Sequence, residues 1–419
     1  MKSAVTFLLL TWSLLLLACS PAGNTHGSDA GLDSGNDVIG DSDTIDSDCC
    51  SDADTDSATD VIDATGLIDP DNPRISIKFI NVGQGDATII SVPGGKTLIF
   101  DTGRKVSDGQ HLGSLLWGLS PQEVILAVSH YDSDHMGAIE VLFSGPDGAP
   151  GVAGVDDDAS GSADETTVAG EYGWPGSDDL LPALVLDRGL TYLPSTTDMD
   201  QYVAACEEVR QQPAPGDIIP MGLPELTVQV LAVNGILMDG TDVNPLYEND
   251  RSMVLLVTYG AFSLLLTGDL PSYTESLVAQ QLFDQGIKLD VLHAGHHGSF
   301  TSTDPLTLDL LEPHVAVISV GNSTSCGAGF NAYGHPSQET ITALWSADVS
   351  AVYQTEEGGA TMATGLCEPA TGETYPRDYH TMGSYFAGGD IELFTDGAQY
   401  SISTGTQTHY YQTHNPIPY

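Results

Sequence analysis

A chain of 419 residues, 41% of them hydrophobic, can bury one large core or two ordinary ones, which excludes a protein disordered throughout. Its 58 acidic and 11 basic side chains set the formal charge at −47 and leave none of the basic stripe that long duplex nucleic acid demands. Residues 20–72 hold 14 Asp and neither Lys nor Arg, so the part from Pro73 onward still carries about −34, a surface that repels polyanions and stays soluble where salt screens it.

Residues 1–19 join Lys2, an apolar run over 4–17 and Ala18-Cys19, the layout of a secretory signal and too short a run to span a bilayer comfortably. Leu16-Leu17-Ala18-Cys19 resembles a bacterial lipobox, in which cleavage leaves Cys19 as the lipidated terminus; simple secretion with a chance cysteine is the alternative. Ser20 after it resembles the pattern that sends such lipoproteins to the outer membrane or cell surface. Residues 20–72 are Asp, Ser, Thr, Gly and Ala with few large apolar side chains, and read as an extended tether. A calcium-binding Asp repeat would need more regular spacing.

Alternation over 75–81 marks the first strand, followed by Val82-Gly83-Gln84-Gly85-Asp86 and a second run at 87–92. Pro93-Gly94-Gly95 is a hairpin turn, and a third strand at 97–100 delivers Asp101. A buried strand at 124–129 abuts His130, with a short helix at 136–143 behind it. The section 145–245 is rich in Gly, Asp and Pro, with strands at 183–186 and 226–231 and a helix at 202–210, and is expected to shape substrate access. Strands at 252–259 and 262–267 end at Gly268-Asp269, and a helix follows at 272–283. Strands at 288–292 and 315–320 come next, and 391–394 with 399–402 close a hairpin around Asp396-Gly397. The domains expected are a signal at 1–19, the tether, a folded domain at 73–405 and a tail at 406–419. Of the cysteines outside signal and tether, Cys326 and Cys367 lie in loops where an oxidising compartment would let them pair, leaving Cys206 free.

Polar residues gather where strands stop: Asp101, the His130-x-Asp132-x-Asp134-His135 cluster, Asp269 and His296-His297. Neutral imidazole and anionic carboxylate together suit Zn²⁺, Mn²⁺ or Fe²⁺. The cluster can serve two ions, with Asp269 placed to bridge them. Taken singly, HxDxDH also suits a solvated acidic loop, Asp269 an N-cap for the helix beginning near Pro271, and Asp101 a strand-end turn. His335 before Pro336 either reaches the site or packs a turn, and His293 reads as structural.

The ordered set Asn81 to Asp86, Asp101-Thr102-Gly103, Ser129 to His135, Leu265 to Asp269, His296 to Ser299 and Tyr333 to Pro336 resembles the metallo-β-lactamase domain of ComEC-type competence proteins and their stand-alone relatives, over roughly residues 74–404. The resemblance implies an α/β fold, a four-layer αββα metallo-β-lactamase sandwich, with two divalent metal ions, Zn or Mn, at the sheet edges. It implies hydrolysis by a metal-bound hydroxide, with Asp134 and His296 at the reaction. Carried over, His130 and Asp132 hold one ion; Asp134, His135 and one of His296 and His297, with His297 favoured, hold the other; Asp269 holds both. Asp101 would orient the His130 loop. Related members have His in place of Asp132 and a further His before the bridging Asp; no His occurs here from 136 to 292, so the first site is oxygen-rich, with Asn249 a substitute ligand.

The reading is an exported lipoprotein hydrolase whose substrate is a nucleotide or small phosphodiester, long duplex nucleic acid being disfavoured by the acidic surface. Acyl hydrolysis of a lactam or lactone, or a non-catalytic surface binding protein, are the alternatives.

Overall fold

Two nine-stranded sheets lie face to face in the computed structural model, which describes residues 74–119, 121–144, 168–169, 175–176, 182–206, 209–321, 334–358 and 377–414. Cys19, the tether, Tyr333 and the expected pairing of Cys326 with Cys367 lie outside the described residues. The first sheet runs Thr408–Gln412, Gln399–Ser403, Ile391–Thr395, Ile75–Phe79, Thr88–Ser91, Lys96–Phe100, Glu123–Ala127, Leu184–Leu186, Arg210–Gln211. The second runs Ile236–Leu237, Leu226–Val233, Val254–Tyr259, Phe262–Leu266, Val291–His293, Val315–Ile318, Ala351–Gln354, Gly383–Phe386, with Ile218–Ile219 joined to its second strand.

Strand alternation builds the layers. Leu264 and Leu266 enter the core between the sheets with Ile77, Phe79, Leu98 and Ile125, whereas Leu265 between them joins the helix side with Val278, Leu282 and Leu308. On the outer face of the first sheet Ile99, Leu126 and Val128 pack with Leu112, Leu116, Ile139 and Phe143 of covering helices. Helix, sheet, sheet, helix is the four-layer order expected.

Each sheet changes from antiparallel to parallel along its width. Lys96–Phe100, Glu123–Ala127, Leu184–Leu186 and Arg210–Gln211 run parallel in one; Phe262–Leu266, Val291–His293, Val315–Ile318, Ala351–Gln354 and Gly383–Phe386 do so in the other. Their carboxyl ends release Asp101, His130, Arg188, Asp269 and His296-His297 at one edge, the position where open α/β sheets place their ligands.

Four local expectations need correction. The helix placed at 136–143 is two helices, Ser133–Met136 and Ile139–Ser144, so Asp134 and His135 occupy a first helical turn. The helix placed at 202–210 is Thr197–Cys206; Arg210 instead enters a strand, with its guanidinium 2.7 Å from Asp187. Residues 408–412, assigned to a tail, add a strand antiparallel to Gln399–Ser403. Helix Val106–Leu119 was not foreseen, because glycines interrupt its apolar stripe. Gly109 is there for close packing: a Cβ on it would lie 2.8 Å from the Ala138 carbonyl oxygen.

Candidate metal centre

Asp269 is the hub. It follows Gly268, whose φ of 53° suits glycine and whose Cβ, if present, would stand 2.9 Å from Ser129 Cβ. The N-cap of the following helix is Pro271, so Asp269 is not spent on capping and turns inward, 3% exposed. Its Oδ1 lies 3.3 Å from His135 Nε2 and 3.9 Å from His297 Nε2; its Oδ2 lies 3.5 Å from His296 Nε2 and 3.9 Å from His130 Nε2. One carboxylate thus serves two histidine pairs, one on each oxygen.

The lobe around Oδ2 also receives Asp132, whose Oδ2 is 3.5 Å from His130 Nε2. The lobe around Oδ1 receives Asp134, 3.6 Å from His297 Nε2, and Asp86, whose Oδ1 is 3.7 Å from His297 Nδ1. Asp86, His135, Asp269 and His297 each bring a ligand atom within 4.8 Å of the others. Asp86 closes the Asn81 to Asp86 motif, and the sequence alone assigns it no ligand role. The Val82 to Asp86 loop lies directly on the HxDxDH loop, since Asp86 N donates to the Asp134 carbonyl at 3.1 Å, and a Cβ at Gly85 would meet that oxygen at 2.5 Å. An acid after two glycines at a strand end was the available signal.

Consecutive histidines reach different lobes because both bend sharply: His296 has φ 52° and His297 φ 55°, a conformation non-glycine residues adopt at a cost of about 1–3 kcal/mol each. His297 falls in the Oδ1 lobe and His296 beside His130, so each sits at a different oxygen of Asp269.

Each imidazole is oriented from behind. His135 Nδ1 donates to Asp101 at 2.8 Å; Nδ1 of His130 meets Ser129 Oγ at 3.0 Å, that of His296 Thr301 Oγ1 at 2.9 Å, and that of His297 the Ser319 carbonyl at 3.1 Å. All four Nε2 atoms are thereby directed into the cluster, the usual support for a ligating histidine. Asp101, expected to steer the His130 loop, holds His135 directly and reaches His130 only through Ser129, whose N and Oγ donate to it at 2.7 and 2.6 Å. Asn249 does not take the ligand place expected for it among the described contacts; from its loop Glu248 meets the His130 to Asp132 arm instead, accepting from Tyr131 N at 2.8 Å. His335 is 7% exposed and its ring lies 5.7 Å from that of His296, on the site side. His293 bonds Ser319 Oγ at 2.8 Å and stacks on Phe79, and its Nε2 also lies 3.5 Å from Asp86 Oδ1, at the back of the cluster.

The residues fit a divalent cation. His130 Nε2, His135 Nε2, His297 Nε2, Asp86 Oδ1 and Asp269 Oδ1 are buried without a hydrogen-bond partner, a costly state for five converging polar atoms unless ligation satisfies them. The electrostatics point the same way. Burial would lift the Asp269 pKa, but His135, His297 and His296 hold it well below the carboxylate range. Burial lowers that of His297, yet Asp269, Asp86 and Asp134 prevail and raise it to about 9. The carboxylates thus hold positive charge among them.

The family model of the Metallo-beta-lactamase superfamily matches residues 80–321. ComE operon protein 3 of Bacillus subtilis is 26% identical over 306 residues, 68% of this chain and 32% of its own. Recombination protein 2 of Haemophilus influenzae is 28% identical over 253 residues, 59% of this chain and 24% of its own. The chain therefore spans about a third and a quarter of the length of these relatives. Among solved structures, CmlA, a diiron beta-hydroxylase from Streptomyces venezuelae, aligns with a TM-score of 0.34 at 12% identity, over 59% of this chain and 45% of that one.

Proposed function

The chain belongs to the metallo-beta-lactamase superfamily, and on that premise we propose that it is a two-metal phosphodiesterase acting on nucleotide-sized substrates. The observation that carries this reading is the division of Asp269 between two histidine pairs, with Asp132 as the further carboxylate of one lobe and Asp86 and Asp134 as those of the other. Asp86, His135, Asp269 and His297, with Asp134 beside them, would hold one ion; His130, Asp132 and His296, which meet Asp269 Oδ2 and each other at 3.5 to 3.9 Å, would hold the second. Divalent ions held there supply Lewis acidity to a phosphoryl oxygen and to water.

The chain's own residues do the positioning. Ser129, Asp101, Thr301 and the Ser319 carbonyl fix the four rings before substrate arrives, so little reorganisation remains. The His296 side chain is 29% exposed whereas those of His130, His135 and His297 are at most 2%, so His296 stands at the open side of the cluster, where a substrate would approach. Arg104 lies 3.5 Å from Asp134 Oδ1 and is 43% exposed, placed to meet a phosphate from the side.

Two features favour a nucleotide over a long strand. Tyr192 and Tyr247, 80% and 74% exposed, stand on the loops of Arg188 and Glu248, Tyr192 with the Arg251 guanidinium 4.7 Å over one face of its ring, and such exposed rings can stack on a base. The acidic surface opposes a long polyanion. The name of Recombination protein 2 refers to recombination, with which a phosphodiester substrate accords. Export with a lipid on Cys19 completes the proposal and places the site outside the cytoplasm.

The test is turnover of bis-p-nitrophenyl phosphate by the purified chain with Mn²⁺ or Zn²⁺, beside Asp269→Ala. Metal-dependent activity lost in the variant supports the reading; a folded, metal-loaded protein that cleaves a lactam or lactone and no phosphodiester replaces it with acyl hydrolysis.

A further inference from the structure

Tyr131 sits between two residues of the Asp132 lobe and is held on every side. Glu248 Oε1 accepts its backbone N–H at 2.8 Å, the Arg188 guanidinium lies over its ring at 4.1 Å, and its hydroxyl donates to the Gly189 carbonyl at 3.0 Å while accepting from Arg210 Nη2 at 3.0 Å. Arg188 is fully buried. Its Nε and Nη2 donate to the two Glu248 oxygens at 2.6 and 2.7 Å, and Nη1 and Nη2 reach the Thr191 and Tyr192 carbonyls at 2.5 and 3.2 Å. Arg188 leaves the first sheet two residues after Leu184–Leu186, while Glu248 comes from the segment before Val254–Tyr259 of the second, so the pair ties both sheets together at the metal edge.

With Arg188 fully buried and Glu248 18% exposed, this ion pair is a poor way to gain stability, because desolvation offsets most of the attraction and an apolar pair of like volume does as well. What an apolar pair cannot do is accept the Tyr131 amide and thereby fix the backbone linking His130 to Asp132. The other lobe has no need of this pair: His135 is braced by Asp101, and His297 by the Ser319 carbonyl. Asp132, by contrast, has a side chain 46% exposed and little packing of its own.

We propose that Glu248 and Arg188 are positioning residues for the His130 to Asp132 arm, and that they set the affinity of the Asp132 lobe for its ion without governing the other. This rests on the two-ion reading above.

The experiment is a calorimetric Mn²⁺ titration of the full chain, with bound metal counted by elemental analysis. Wild type is compared with Glu248→Gln and with the double replacement Arg188→Met, Glu248→Leu, which removes both charges together and leaves no unpaired ion inside. Asp132→Ala, at an exposed position, marks which binding step belongs to this lobe. The expected result is two steps in wild type, with the marked step weakened about 10–100-fold in the double variant, less in Glu248→Gln, whose amide oxygen still accepts from Tyr131 N, and the other step unchanged. Equal weakening of both steps would show a merely structural role and overturn the proposal, as would two unchanged steps in the folded double variant. Wild type binding no ion would bring down the two-ion reading and this proposal with it.

Discussion

Asp101 accepts the Nδ1 proton of His135 at 2.8 Å with both side chains wholly buried, and this bond selects Nε2 as the nitrogen that faces Asp269. A carboxylate can only accept here, so the ring is held in one tautomer and one orientation. Asp101 has φ 61°, an uncommon conformation for a non-glycine residue, kept by three bonds to its carboxylate from Ser129 and His135. Asp101→Asn, which can donate as well as accept, is expected to keep the fold and weaken metal binding about 10–100-fold. Metal titration alongside a thermal melt checks it; unchanged affinity would remove Asp101 from the site.

Gly85→Ala tests the contact between the Asp86 loop and the HxDxDH loop. The added Cβ would fall 2.5 Å from the Asp134 carbonyl oxygen and 3.2 Å from Asp134 Cβ, so one loop must move. The expected cost is about 1–3 kcal/mol in urea unfolding, with weaker binding of the ion that Asp86 and Asp134 share. Gly94→Ala, at a turn with nothing within 4 Å, should leave metal binding unchanged.

Glu275 gives a pH signature away from the metal. Its carboxyl is fully buried, and burial pushes its pKa up to about 8 against the backbone N–H of Thr303 at 2.5 Å. The folded state therefore binds a proton more tightly than the unfolded chain, so this group's contribution to stability is fully present below about pH 4.5 and is lost as pH rises through about 8. Glu275→Gln should flatten that slope and make the variant more stable than wild type at pH 8 by a few kcal/mol, roughly the free energy of the proton it no longer needs. Urea unfolding at pH 5 and pH 8 decides it; equal slopes in the two proteins would contradict the prediction.

Cys206 is buried and unpaired, and burial pushes its thiol up to about 12. A thiolate is the reactive form, so the native protein should leave this cysteine unmodified by iodoacetamide at pH 8 and expose it on unfolding. Mass spectrometry of peptides spanning residue 206 before and after urea reports the difference.

The strands were legible because period-two alternation is a local property: Ile75, Ile77 and Phe79 announce a buried face without help from any partner. The HxDxDH loop, Asp269 and the histidine pair were legible for a related reason, since ionisable residues at strand ends mark a cost that chemistry must repay. Helix Val106–Leu119 was hidden because its glycines answer to the approach of another helix, and the strand Thr408–Gln412 because pairing to an edge is a relation between segments.

The amino-acid sequence by itself determined which residue types can meet a cation and the order in which strands deliver them. Only the tertiary structure decided how they are shared: that Asp269 turns one oxygen to His135 and the other to His296, that Asp86 joins the cluster, and that Glu248 rather than Asn249 meets the Tyr131 arm. The reason is physical. Coordination depends on where atoms from strands far apart in the chain point, at separations such as 3.3 and 3.9 Å, and the rings of His296 and His297 are held in their separate directions by Thr301 and Ser319, which local sequence does not reveal as partners.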